Sequence, residues 1–329
     1  MDAKTFRASP LSDQVVASLT HAAMAQSEWK AILTFCEPSD ATKDLLALIE
    51  LYHHATHNGL DCDFDDALLS LYTDKPTSRL AKDIHVLREC MSYAKHRVFE
   101  IKAITAADLL KINLALIDSD TTVLKNDNLS SEILVNDVWS ILHDLYNPDK
   151  RYPLLLKAAI AAYRLLTLQP QWKVDLWTLR VLFEAVYPED LETSGISMQW
   201  LMLVDPEKSL SAYDTESAIL LILSVLEGMW RKSSGIYLAI RNKESEILNT
   251  IHELLPKLRG DRILSALTRS VCLSNASFRE KTGVSHGTAV NHLKDAESAR
   301  VLYSKMDGRE RLYFNKIICG FAREQMRVM

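Results

Sequence analysis

Glycine is scarce in this chain, with nine in 329 residues, under half the usual frequency of ~7%. Tight βα turns and hairpins draw on residues that tolerate positive φ, so few sharp reversals are available. The scarcity predicts a mainly helical fold. Hydropathy periodicity agrees over most of the first 255 residues. Leu45, Leu46, Leu48, Ile49 and Tyr52 form one stripe, and Ala67, Leu68, Leu71 and Tyr72 a second that ends at Pro76. A third helix, 77–94, carries Leu80, Ile84, Leu87 and Met91 on one face. Thr105 is an N-cap candidate for 106–116, because its hydroxyl can accept an otherwise orphaned backbone N–H. Residues 118–131 read as a polar loop and 133–145 as a helix closed by Asn147-Pro148-Asp149. The stretch 152–168 is apolar almost all round, which predicts a helix covered on most faces. Another apolar helix spans about 175–187, and two or three more fill 212–258.

Charge is divided unevenly along the chain. Residues 257–329 hold 14 Lys and Arg against 7 Asp and Glu, while residues 1–256 hold 24 against 36. The total of −5 therefore hides a basic C-terminal segment behind an acidic body. Five cysteines, at 36, 62, 90, 272 and 319, form no C-x-x-C, which predicts free thiols in a reducing compartment. The first residues lack an apolar signal core, and the most apolar run, 218–226, is far shorter than the ~18 residues of a membrane span. A cytoplasmic protein with no membrane partner is expected.

The basic segment orders its elements as helix, helix, tight turn, helix and hairpin. Ile263, Leu264 and Leu267 give the first helix an apolar face, and 275–281 forms a short second helix with Phe278 inward. Gly283 supplies a left-handed turn residue. Ser285 is the N-cap candidate of a third helix in which Ala289 and Leu293 point inward. The hairpin pairs 301–304 with 309–314 across Met306-Asp307-Gly308, with Leu312 and Phe314 on one face and Arg309, Arg311 and Tyr313 on the other. A closing helix, 316–326, offers Ile317, Ile318, Phe321 and Met326 to the core or to a dimer seam.

This order, with Gly-Val-Ser-x-x-Thr-Ala-x-x-x-Leu at 283–293, resembles a winged helix-turn-helix domain of bacterial regulators. The resemblance implies double-stranded DNA as partner and a homodimer reading two half-sites. Thr288, Asn291 and His292 would meet base edges, Lys294 and Arg300 phosphate, and Lys305, Arg309 and Arg311 the adjacent backbone, with Ser285 and His286 also on the DNA-binding side. Two residues depart from the pattern: Ala296 stands where leucine is usual, and Arg300 where glycine commonly precedes the wing.

The body, from about Leu46 to Leu201, resembles a degenerate Fic domain, the helical bundle of protein AMP-transferases. The segment AADLLKINLALID at 106–118 and the apolar helix at 152–168 take the places of two family helices. The family signature H-P-F-x-[DE]-G-N-G-R-x-x-R falls on QPQWKVDLWTLR, 169–180, and matches only Pro170 and Arg180. Gln169 replaces the general-base histidine, and an amide accepts no proton at neutral pH. Val174 and Leu176 replace phosphate-cradling glycines, Asp175 the asparagine, and Trp177 the phosphate-gripping arginine. The resemblance thus implies a pseudoenzyme with no catalytic residue and no cofactor. Its expected layout is an N-terminal helical region (1–45), the Fic-like bundle (46–205), connecting helices (206–256) and the winged helix (257–329). The helical body would serve dimerisation, effector sensing or partner binding.

His53 and His57 have the i, i+4 spacing of metal ligands, but no third ligand accompanies them, so no metal is expected. Three readings remain: a DNA-binding regulator, a Fic-like nucleotidyltransferase, and an adaptor whose winged helix contacts protein.

Overall fold

The computed structural model describes residues 11–36, 38–57, 64–72, 79–101, 103–118, 120–125, 132–147, 152–168, 178–179, 182–183, 186 and 214–327. They are mainly helical, with one small antiparallel sheet near the C-terminus. The chain divides into two compact units, one built from 1–33 and 76–232, the other from 34–75 and 233–329. In this division 34–75 and 233–256 group with the basic segment.

The first unit contains most of α1 (Asp13–Phe35), then α4 (Arg79–Ile101), α5 (Ala106–Asp118), a 3-10 turn (Thr121–Lys125), α6 (Glu132–Tyr146), α7 (Leu154–Leu166) and α8 (Thr215–Leu254) as far as Lys232. Nine of the 13 residues of α7 are buried. Alanines at 158, 159, 161 and 162 let neighbouring helices approach closely, as its all-round apolar sequence implies. Its two basic residues turn toward the preceding segment. Arg164 pairs with Asp144 of α6 at 2.6 Å, and Lys157 Nζ donates to the Asn147 carbonyl at 2.6 Å. Thr105 caps α5 as expected, accepting the Asp108 N–H at 3.1 Å, while the Asp108 carboxylate accepts the Thr105 N–H at 3.1 Å. The pair is a capping box with aspartate at its third position. The expected loop at 118–131 instead begins with the last residue of α5 and the 3-10 turn.

One continuous 40-residue helix, α8, replaces the two or three expected over 212–258. Gly228, Gly235 and the Ser233-Ser234 pair lower helix propensity by up to about 1 kcal/mol each. Apolar burial on both sides of them outweighs that, through Ile222, Leu226 and Trp230 before and Tyr237, Ile240 and Ile247 after.

The second unit joins α2 (Asp40–His57), α3 (Phe64–Tyr72) and α8 from Ser233 to the C-terminal elements. These are α9 (Asp261–Thr268), β1 (Cys272–Leu273), α10 (Asn275–Thr282), α11 (His286–Ser298), β2 (Leu302–Asp307), β3 (Glu310–Asn315) and α12 (Lys316–Arg327). The sheet order is β1-β3-β2, with Cys272 opposite Phe314 and Leu302 opposite Asn315. The expected hairpin is therefore two strands of a three-stranded sheet. Tyr313, expected on the exposed face, is 5% exposed, because residues 312–315 are all buried and both faces of β3 are covered there. The turn also moves: Met306 and Asp307 pair with Arg311 and Glu310, leaving Gly308-Arg309 as a two-residue loop. Gly308 has φ 59 at the first loop position, where a type II′ turn favours glycine.

The core of this unit runs from Leu267, Phe278 and Leu293 through Phe314 to Ile318 and Ala322. Helix α12 packs on α2, so Ile318, Phe321 and Met326 are buried within the chain. Tyr72 of α3 meets Phe314 edge-on at 6.1 Å, and its hydroxyl donates to Asp44 at 2.6 Å. Residues far upstream of the basic segment thus complete its core.

Candidate nucleic-acid interface

Helix α11 presents an exposed polar face. Its start is set locally, since Gly283 adopts φ 74 as the C-cap of α10 and its N–H reaches the Arg279 carbonyl at 2.7 Å. Ser285 then caps α11, its oxygen accepting the Thr288 N–H at 3.3 Å. Ala289, Leu293 and Ala296 are fully buried at spacings of four and three. That orientation leaves Ser285, His286, Thr288, Asn291 and Lys294 exposed, with His292 half-buried. The Ser285 and Thr288 hydroxyls lie 2.9 Å apart, so the cap also fixes the Thr288 side chain.

The helix ends in a Schellman motif. The Val301 N–H reaches the Ala296 carbonyl at 3.0 Å, and the Arg300 N–H reaches the Glu297 carbonyl at 2.9 Å. In such a motif the residue at the Arg300 position is left-handed and usually glycine. Arg300 has φ 60 and is the one non-glycine residue with positive φ among the described residues. Arg300 is therefore strained, at roughly 1–2 kcal/mol. Arg300→Gly should relieve that strain and stabilise the second unit by about 1 kcal/mol, net of the entropy glycine adds to the unfolded chain. Urea denaturation monitored by hydrogen exchange in α11 measures it, and unchanged or lower stability would refute the strain.

The basic residues fall into two groups. Lys294, Arg300 and Arg309 are exposed and form no ion pair among the described residues. Lys305 and Arg311 are held within the chain. Lys305 Nζ lies 2.7 Å from Asp65, which also takes Arg323 at 2.8 Å, and the Arg323 guanidinium covers the Phe64 ring at 4.5 Å. Partial burial pushes the Asp65 carboxyl up, but hydrogen bonds and charge from Lys305 and Arg323 outweigh it and hold the group below its ordinary value. Arg311 faces Glu297 at 3.8 Å, and Glu297 accepts the Ser304 hydroxyl at 2.5 Å, joining the end of α11 to β2. Of the expected wing cations, Arg309 is the one left unpaired, at the tip.

Sequence reasoning missed Asp65. It lies 258 residues from Arg323, and no periodicity or spacing relates the two. The remaining expected site lies elsewhere: Gln169, Pro170, Asp175, Trp177 and Arg180 fall outside the described residues. Thr178, within that segment, is fully buried and donates to Asn113 of α5 at 2.9 Å. His53 and His57 lie on α2, and no group of three metal-ligating side chains occurs among the described residues. No helix among the described residues is long and apolar enough to cross a membrane. Comparison with protein-family models and with curated proteins finds no match for the chain.

Proposed function

We propose that the protein is a DNA-binding regulator whose second unit is a winged helix-turn-helix and whose first unit is a catalytically inactive, Fic-like helical bundle. One observation carries the reading: Lys294, Arg300 and Arg309 stand exposed and unpaired around the polar face of α11 and the hairpin tip. Arg300 supports it further, because a charged residue kept in a strained backbone position points to a role other than stability. His286 and Asn291 would read base edges, while the three cations grip phosphate. A second copy would read the other half-site.

Three phosphate contacts imply a slope of log K against log salt of about −2.7, or roughly 40-fold weaker binding at 200 mM than at 50 mM. Fluorescence anisotropy of the full chain on a pool of random duplexes checks this. Arg309→Ala should reduce the slope by about one, and Arg311→Ala by less, because Arg311 already faces Glu297. No duplex binding at ~50 mM salt would defeat the reading, given the size of the electrostatic term.

A further inference from the structure

A cleft of about 470 Å³ lies within the second unit, bounded by the first turn of α2, by α9 and by the last turn of α10. Four cations line it, Lys43, Arg262, Arg269 and Lys281, against the carboxylates of Asp40 and Asp261. Two of the four are engaged: Lys281 pairs with Asp40, and Arg269 lies 3.8 Å from Glu244. Lys43 and Arg262 are exposed and form no ion pair among the described residues.

The floor of the cleft supplies an independent observation. Ser270 lines it, is 4% exposed, and its hydroxyl meets no hydrogen-bond partner among the described residues. Solvent reaches its Oγ, so the hydroxyl is free to donate to an acceptor atom in the cleft. The first turns of α2 and α9 also border the space, where Asp40 and Asp261 offset the positive ends of their helix dipoles.

We propose that this cleft binds a small molecule through a phosphate group. A tetrahedral dianion offers enough acceptors to take the Arg262 fork, the Lys43 ammonium and the Ser270 hydroxyl together. A volume of about 470 Å³ exceeds what one phosphate fills and sits within the ~300–1,000 Å³ range of small-molecule sites, so the ligand carries an organic part. Occupancy bears on α11, because Arg262 Nη1 lies 4.0 Å from where a Cβ on Gly283 would stand, at the turn into that helix. An anion there lowers the local positive potential and so weakens duplex binding. That coupling rests on the DNA-binding reading, whereas the site itself does not.

Titrating inorganic phosphate into the full chain, with chloride lowered to keep ionic strength constant, should give a saturable rise in thermal midpoint. Lys43→Gln and Arg262→Gln should each weaken the midpoint concentration about tenfold, the loss of one charge-assisted hydrogen bond. Ser270→Ala should weaken it several-fold, and Lys257→Gln, outside the cleft, should leave it unchanged. Absence of a saturable response, or its survival in the Lys43→Gln/Arg262→Gln double variant, overturns the site. If the cleft takes backbone phosphate instead, the double variant lowers duplex affinity in phosphate-free buffer while free phosphate gives no response, and the small-molecule proposal falls. Phosphate that saturates the cleft without changing duplex affinity overturns the coupling alone, and loss of all duplex binding overturns the DNA reading while the titration still judges the cleft.

Discussion

Replacing Asp108 by alanine is expected to destabilise the first unit by about 3 kcal/mol, because one buried carboxylate serves four donors. The residue is 3% exposed. It accepts the Tyr93 hydroxyl at 2.6 Å, Arg97 Nε at 3.1 Å, the Thr105 hydroxyl at 2.6 Å and the Thr105 N–H at 3.1 Å. Alanine removes the reciprocal cap of α5 and leaves Arg97 without this partner next to the core. Asp108→Asn keeps the volume but loses the charge, so it should be milder. Burial pushes the Asp108 carboxyl up, yet the hydrogen bonds from Thr105 and Tyr93 and the charge of Arg97 hold it below its ordinary value. A group lowered on folding contributes fully above its unfolded pKa of about 3.9 and loses that contribution as pH falls through the folded value. The gap between wild type and Asp108→Asn in urea denaturation should thus be largest near neutrality and shrink below about pH 4. A gap that stays constant from pH 7 to pH 3 would show that charge plays no part.

Asn315→Ala should destabilise the second unit to a similar degree, about 3 kcal/mol, from a lost helix cap and a stranded buried carbonyl. Asn315 is fully buried where β3 passes into α12. Its Oδ1 accepts the Ile317 and Ile318 N–H groups at 3.1 and 3.2 Å, and its Nδ2 donates to the Leu267 carbonyl at 3.0 Å. Asn315→Asp tests the two functions separately. It keeps the cap but removes the donor to Leu267 and sets a carboxylate against that carbonyl, so it should not rescue the alanine variant. Hydrogen exchange at Ile317 and Ile318 reads the cap directly, and unchanged protection there in Asn315→Ala would refute the assignment. Because α12 packs on α2, the same change should loosen the contact between the C-terminal elements and that upstream helix.

Both sites show how far local signals reach. Thr105 as a cap was legible because the capping partner lies three residues on, and the same holds for Ser285 and for Gly283 at the end of α10. The inward set Ala289 and Leu293 followed from helical spacing alone. Asn315 carried no such signal, since its third partner, Leu267, lies 48 residues away. The strand β1 was equally silent: two residues are too few for an alternating pattern, and Cys272 and Leu273 are extended because β3 offers them hydrogen bonds.

By itself the sequence determined the mainly helical fold, the starts of α5 and α11, and the buried face of α11. Each depends on interactions within about one helical turn, which the order of residues specifies before any tertiary contact forms. The tertiary structure decided which cations are free to meet a partner. Lys305 and Arg309 sit on the same hairpin and look equivalent in sequence, but Asp65 of α3 neutralises one while the other projects at the turn. It also decided that 34–75 completes the core of the C-terminal unit and that one helix runs unbroken from Thr215 to Leu254. Ion pairing and burial depend on distance in space, and for residues hundreds of positions apart only the folded chain sets that distance.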